Sequence, residues 1–147
     1  MPAKADPCRV HRLVADVAVV ADHRVLLVRY ADATAYDGQN GWFLPDDFLR
    51  HAEHPDDAAR RILKDQTALP SYGVDLRYIE SFDGDGGPWH LVFHYVTRLD
   101  RVLPVTPTGN VAAAEWFPLD ALPARDDLAH GGWGADVLAE LRRRHDL

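Results

Sequence analysis

Between Trp42 and Leu69 the chain reads WFLPDDFLRHAEHPDDAARRILKDQTAL, a stretch with six carboxylates and two histidines. Asp46, Asp47, Glu53 and Asp65 offer hard oxygen ligands, the kind that magnesium takes. His51 and His54 flank Glu53, and imidazole suits transition metals. No Cys or His partner stands at zinc-like spacing, so a polar loop with titrating histidines explains this pair better. Asp57, Arg61 and Asp65 fall four residues apart, the spacing of a surface charge ladder worth about tenths of a kcal/mol per pair.

The elements that must position these groups can be read in outline. Pro55 to about Thr67 reads as a helix. Pro55 fits its first turn, Asp56 and Asp57 suit its positive end, and Ala58, Ala59, Ile62 and Leu63 form an apolar stripe. Pro70 stops it. Arg12–Val20 and Val25–Tyr30 are β-rich runs joined by a short polar link, the pattern of a hairpin. Ala31–Gly41 reads as a loop, followed by a short extended piece over Trp42–Leu44. Asp75–Phe82 and Trp89–Leu99 predict two strands around a turn at Asp83–Pro88. Ala112–Phe117 predicts another, leading into a compact turn or short helix at Pro118–Pro123. Gly134–Arg144 predicts a closing helix with Val137, Leu138 and Leu141 buried. This order favours an α+β or mixed-sheet sandwich over a regular βαβ wind.

Bulk properties narrow the function classes. At 147 residues, 47% hydrophobic and 27% charged, the chain predicts one globular domain over residues 12–147, with residues 1–11 as a leader. A net charge of −7 argues against a non-specific binder of duplex nucleic acid. Arg142-Arg143-Arg144 falls at a helix end, where it complements the dipole. Cys8 is the only cysteine, which excludes an internal disulfide. No apolar run approaches a membrane span, and no signal-peptide pattern opens the chain, so the expected location is the cytoplasm.

The 42–69 stretch resembles the Nudix superfamily signature: Gly, five residues, Glu, seven residues, then Arg-Glu-aliphatic-any-Glu-Glu-any-Gly-aliphatic. Superposed, Glu53, Arg61, Leu63 and Leu69 keep the pattern. Asp47 and Ala68 stand at the glycines, Ile62 at the Glu after Arg, and Asp65-Gln66 at the Glu pair. Trp42-Phe43-Leu44-Pro45 is similar to the family's lead-in, and Glu115-Trp116-Phe117-Pro118-Leu119 to its closing strand. The resemblance covers roughly residues 12–123 and implies an α/β/α sandwich with a mixed β-sheet. It also implies a hydrolase of nucleoside-diphosphate-linked or related phosphoanhydride substrates that uses Mg2+.

That chemistry needs divalent cations to neutralise charge and generate a nucleophile. Ile62 cannot ligate a cation, Gln66 offers a neutral amide, and Asp65 is one methylene shorter than Glu. The expectation is therefore a degenerate metal site with weak or altered turnover. Asp65, with Asp46 and Asp47 as substitute ligands and a loop carbonyl beside them, is the metal set the resemblance leaves. Glu53, Asp65 and Glu115 are the catalytic candidates, Glu115 as a replacement base. The resemblance also implies that Glu53 and Arg61 brace the loop against the helix, a role that competes with the charge ladder for Arg61.

Arg61, His90, His94 and Trp42 are the candidate contacts to a small-molecule ligand. His90, Val92 and His94 share one strand face, opposite Trp89, Leu91, Phe93 and Tyr95. The histidine face could line a pocket over the central helix or lie hydrated. Some 13 Å would separate His90 from His94 along a strand, too far to chelate one ion. Trp42 could stack a flat ligand or simply pack. Three functions stay open: a Nudix-like hydrolase, a non-hydrolytic enzyme on a specialised metabolite, and a binding or regulatory module. A homodimer is compatible with each.

Overall fold

The computed structural model describes residues 11–70, 73–83 and 87–147. Cys8, the leader before His11 and the centre of the Asp83–Pro88 turn lie outside them. Six strands and two helices follow in the order β1 (His11–Ala21), β2 (Arg24–Tyr30), β3 (Asp46–Phe48), α1 (Pro55–Thr67), β4 (Asp75–Asp83), β5 (Trp89–Arg98), β6 (Val111–Pro118) and α2 (Trp133–Arg143). The sheet runs β4-β5-β1-β2-β6, with β3 joined to β1. β1 and β5 are parallel and the other pairings antiparallel, so the sheet is mixed, as expected.

Alternation along β1 builds three layers. Ala15, Val17, Val19 and Ala21 pack with Ala58, Ala59, Ile62 and Leu63 of α1. Ala18 and Val20 pack on the opposite face with Val137, Leu138 and Leu141 of α2. A strand covered on both faces reads as a near-continuous apolar run, which is what Val14–Ala21 shows apart from Asp16.

The start of α1 is set locally. His54 caps it by accepting from the Asp56 amide at 3.0 Å, and Pro55 occupies the first turn. Ala68, in the left-handed conformation, closes the other end. The structure therefore uses His54 as a cap.

Pro118–Pro123 forms the compact turn, through Ala121 N–H to the Pro118 carbonyl. One expectation changes. Asp46-Asp47, read as a loop, begin strand β3, in register with Asp16 and Ala15 of β1. The change belongs to the chain's central feature. β1 and β2 pair only at Val20–Val25 and Ala21–Arg24 and then diverge. Residues 43–48 fill the wedge, bonded to β1 through Val17 N–H to Pro45 O (3.0 Å) and to β2 through the Val28–Phe43 bridge. No local propensity marks such an insertion, because its hydrogen-bond partners lie far along the chain.

Ile62 is 1% exposed within the α1-side core. Ile62→Ala is expected to cost about 2–5 kcal/mol in chemical denaturation. Ile62→Glu, the residue the signature carries there, is expected to cost more, because a carboxylate would be buried without a partner. Equal stability of Ile62→Glu and wild type would show that this position opens to solvent.

Candidate functional site

Arg61 ties the helix to the wedge strand. Its Nε and Nη2 donate to Glu53 at 2.9 Å, Nη1 donates to Asp47 at 3.0 Å, and Nη2 also reaches the Phe48 carbonyl at 2.9 Å. Four bonds from one planar fork fix the guanidinium, so Arg61 is a brace. The Arg61 guanidinium holds the Glu53 carboxyl below its ordinary range, and Glu53 also accepts from the Arg50 amide. The charge ladder does not form around Arg61, because Asp57 pairs with Arg60 at 3.1 Å.

Beside the brace, the backbone carbonyl of Asp46 accepts from Gln66 Nε2 at 2.7 Å, with the Tyr30 hydroxyl 3.1 Å away. The same hydroxyl accepts from the Asp46 amide at 3.0 Å and donates to Gln66 Oε1 at 2.9 Å. The result is a closed ring of hydrogen bonds linking β2, β3 and α1. The Asp46 side chain is itself 8% exposed. Burial, reinforced by the negative charges of Asp16 and Asp47, pushes its carboxyl well above the ordinary carboxylate range. Asp46 is thus a carboxylic acid in a cleft wall, able to donate a proton. The expected solvated pair of loop aspartates is replaced by one buried acid and one brace partner.

A second polar row crosses the sheet behind it. Asp16 aligns with Asp46 on one side and with His94 on the other. His94 Nδ1 lies 2.8 Å from Asp16 and its Nε2 2.8 Å from Glu80. Both His94 and Asp16 are fully buried. A neutral imidazole has one N–H, so satisfying two carboxylates requires the imidazolium. Burial alone would lower the His94 pKa; Asp16 and Glu80 outweigh it and raise the value to about 9. Tyr78 and Trp133 cover the ring at 4.3 and 5.5 Å.

The cleft itself measures about 510 Å3. Arg12, Val14, His90 and Val92 form its sheet wall, Asp46–Phe48 one edge, and Tyr36, Asp37, His130 and Trp133 the opposite rim. Gly41 makes the rim possible. Its φ is +109°, and a Cβ there would stand 2.6 Å from the Asp127 carbonyl. Trp42 N–H bonds to that carbonyl and Ala129 N–H to the Trp42 carbonyl, which carries His130 over the opening. His90 donates from Nδ1 to the Pro88 carbonyl at 2.9 Å.

Of the sequence candidates, Asp46, Asp47 and His90 line this cleft. His94 does not; it is buried behind the wall. The histidine face also packs toward α2 and Trp133 rather than over α1, because β5 presents Tyr95 to the α1 core and Val96 to the α2 core. Trp42 lies against Phe117 at 5.1 Å with Arg29 over its ring at 4.6 Å, outside the cleft lining. Asp65 and Glu115 are exposed and not part of the lining, and Glu53 and Arg61 stand behind Asp47 in the brace.

A family model described as the NUDIX domain matches residues 10–138. The chain belongs to the Nudix family. Solved structures of Nudix proteins share the fold at low identity. The MutT protein from Methanosarcina mazei Go1 superposes with a TM-score of 0.72 at 12% identity, covering 97% of this chain and 100% of that one. The E. coli dihydroneopterin triphosphate pyrophosphohydrolase gives 0.70 at 13% identity, covering 92% and 99%. A MutT NUDIX hydrolase from Burkholderia pseudomallei gives 0.65 at 20% identity, covering 89% and 98%. No curated protein sequence matches the chain. Among the described residues, no helix is long and apolar enough to cross a membrane.

Several residues of this Nudix site escaped sequence reading. Asp16 left a signal, as the one charge inside an apolar strand. Tyr30 closed a β-rich run and gave none. His130 and Trp133 gave none either, because the meeting of His130 with Phe43 and Trp133 depends on the Gly41 crossing.

The His94 pKa rises on folding, so its contribution to stability is full below about pH 6.5 and is lost as pH rises through about 9. Urea melts are expected to show that loss between pH 7 and 10 in wild type and a flatter profile in His94→Gln. Arg61→Lys is expected to lose about 2 kcal/mol, since one ammonium cannot reach Glu53, Asp47 and the Phe48 carbonyl together. A silent Arg61→Lys melt would contradict the brace.

Proposed function

We propose that this Nudix-fold chain binds a small molecule in the cleft and that magnesium-dependent phosphoanhydride hydrolysis is weak or absent. The observation that carries the reading is the occupied Asp46 carbonyl. The family resemblance makes that loop carbonyl a metal ligand, together with helical carboxylates. Here the Gln66 amide already bonds to it, and the Tyr30 hydroxyl stands 3.1 Å away. A cation competing for that oxygen would have to displace a 2.7 Å hydrogen bond from a donor that cannot itself ligate through nitrogen. Ile62, at another carboxylate position, is buried in the core. Asp65 is exposed, and among the described residues no three His, Cys, Asp or Glu side chains are grouped to hold an ion. The residues present therefore fit Mg2+ poorly.

The catalytic alternative from the sequence keeps one specific support. The Asp46 carboxyl, buried in the cleft wall with its pKa raised, shares the lining with the His90 and His130 rings, a set of groups able to carry protons. Burial holds His130 below its ordinary range, so it is uncharged near neutrality. A non-hydrolytic acid–base reaction is compatible with this set. Glu53 and Arg61 contribute as supports of the loop that carries Asp46.

Calorimetry with Mg2+ and turnover of ADP-ribose and nucleoside triphosphates test the reading. The expected result is no saturable metal binding at low millimolar concentration and no metal-stimulated turnover. Saturable binding abolished by Asp65→Asn, together with metal-stimulated phosphoanhydride cleavage, would overturn it. Gln66→Glu supplies a positive control. It removes the amide donor and sets a carboxylate beside the Asp46 carbonyl, so Mg2+ is expected to raise the Tm of the variant by several degrees and leave wild type unchanged.

A further inference from the structure

The cleft carries aromatic planes without a matching supply of positive charge. Phe82 stacks on His90 at 5.0 Å with 5° between the rings, and remains 37% exposed. Tyr36 lies flat on Tyr30 at 3.7 Å, and Trp133 stands edge-on to His130 at 6.4 Å. Flat rings that line an opening and keep solvent-facing surface favour a flat partner.

The charges give the sign. Among the described residues, Asp37, Asp46, Asp47 and Asp83 line the cleft against a single guanidinium, Arg12. Asp47 is neutralised by Arg61, and Arg12 sits over the Phe48 ring at 5.5 Å. Counting Asp46 as the neutral acid, Asp37 and Asp83 still outnumber Arg12. A diphosphate brings at least two negative charges into this field and, with no metal held, meets no cluster that offsets them.

We infer that the cleft takes a planar nitrogen heterocycle, neutral or cationic and free of phosphate, laid against the Phe82–His90 pair, with Asp37 and Asp83 excluding anions. This ligand class rests on the metal-free reading of the site. It places the specificity of the protein in its aromatic rim and acidic edge. Asp37, in the left-handed cap of a short 3-10 turn, projects from the rim close to His130, with 3.7 Å between its Oδ2 and Nε2.

The test is an NMR titration of the 15N-labelled full chain in EDTA with matched planar probes: nicotinamide, 1-methylnicotinamide and nicotinate, then adenosine and ADP. The expected order puts the neutral and cationic rings about tenfold or more ahead of nicotinate, and adenosine ahead of ADP. The shifts should centre on the Trp133 indole and on His90. Asp37→Asn with Asp83→Asn is expected to narrow the gap between 1-methylnicotinamide and nicotinate at least threefold, and Phe82→Ala to weaken every ring. Nicotinate or ADP binding as tightly as its partner in EDTA, or no saturable binding of any probe, would overturn the ligand class. Magnesium-dependent tightening of ADP would overturn the metal-free reading and the ligand class with it.

Discussion

One backbone oxygen, the carbonyl of Asp46, joins the helix, the wedge strand and the cleft. It receives the Gln66 amide from α1 and lies against the Tyr30 hydroxyl from β2, while its own residue pairs with Asp16 of β1. A buried carbonyl left without a donor costs about 1–3 kcal/mol, so this ring of bonds holds three elements in one geometry. The Arg61 brace keeps the next turn of chain in place through Asp47, Glu53 and the Phe48 carbonyl. Together they preserve a loop shape whose glycines have been replaced. The scaffold persists because side-chain amide and hydroxyl groups now occupy lone pairs that would otherwise need a partner.

The electrostatics of the interior follow from the same strand pairing. Register sets Asp46, Asp16 and His94 in a row across β3, β1 and β5, and Glu80 reaches the far nitrogen of His94 from β4. An isolated carboxylate at the Asp16 position would be strongly disfavoured in the sheet interior. The imidazolium between two carboxylates relieves that cost, and the residual negative field from Asp16 helps keep the neighbouring Asp46 protonated. The raised Asp46 carboxyl in the cleft wall thus owes part of its shift to a structural charge row. The aromatic lining and, among the described residues, the lone Arg12 guanidinium are what the proposed phosphate-free ligand rests on.

The family fold was legible in the chain because its elements obey local rules. The helix over Pro55–Thr67 was marked by its proline, its acidic first turn and its apolar stripe, and the strands by β-rich runs. The flanks WFLP and EWFPL carried the resemblance where the central carboxylates did not. The chemistry of Ile62 was also partly legible, since isoleucine cannot ligate a metal wherever it sits.

Roles that depend on distant partners were not legible. Helical spacing offered Arg61 to Asp57 and Asp65, and only folding brought Glu53, Asp47 and the Phe48 carbonyl within reach of its fork. His90 and His94 looked equivalent on one strand face, yet one lines a cleft and the other is sealed between two carboxylates, because Tyr78, Glu80 and Trp133 close over His94. Asp46 and Asp47 read as solvated loop residues, and the divergence of β1 and β2 turned them into a buried acid and a brace. The sequence by itself determined which residues can donate, accept or pack, and the local periodicity that places them on helix or strand. The tertiary structure decided which were desolvated and which faced the cleft, because burial and hydrogen-bond partnership are set by segments tens of residues away.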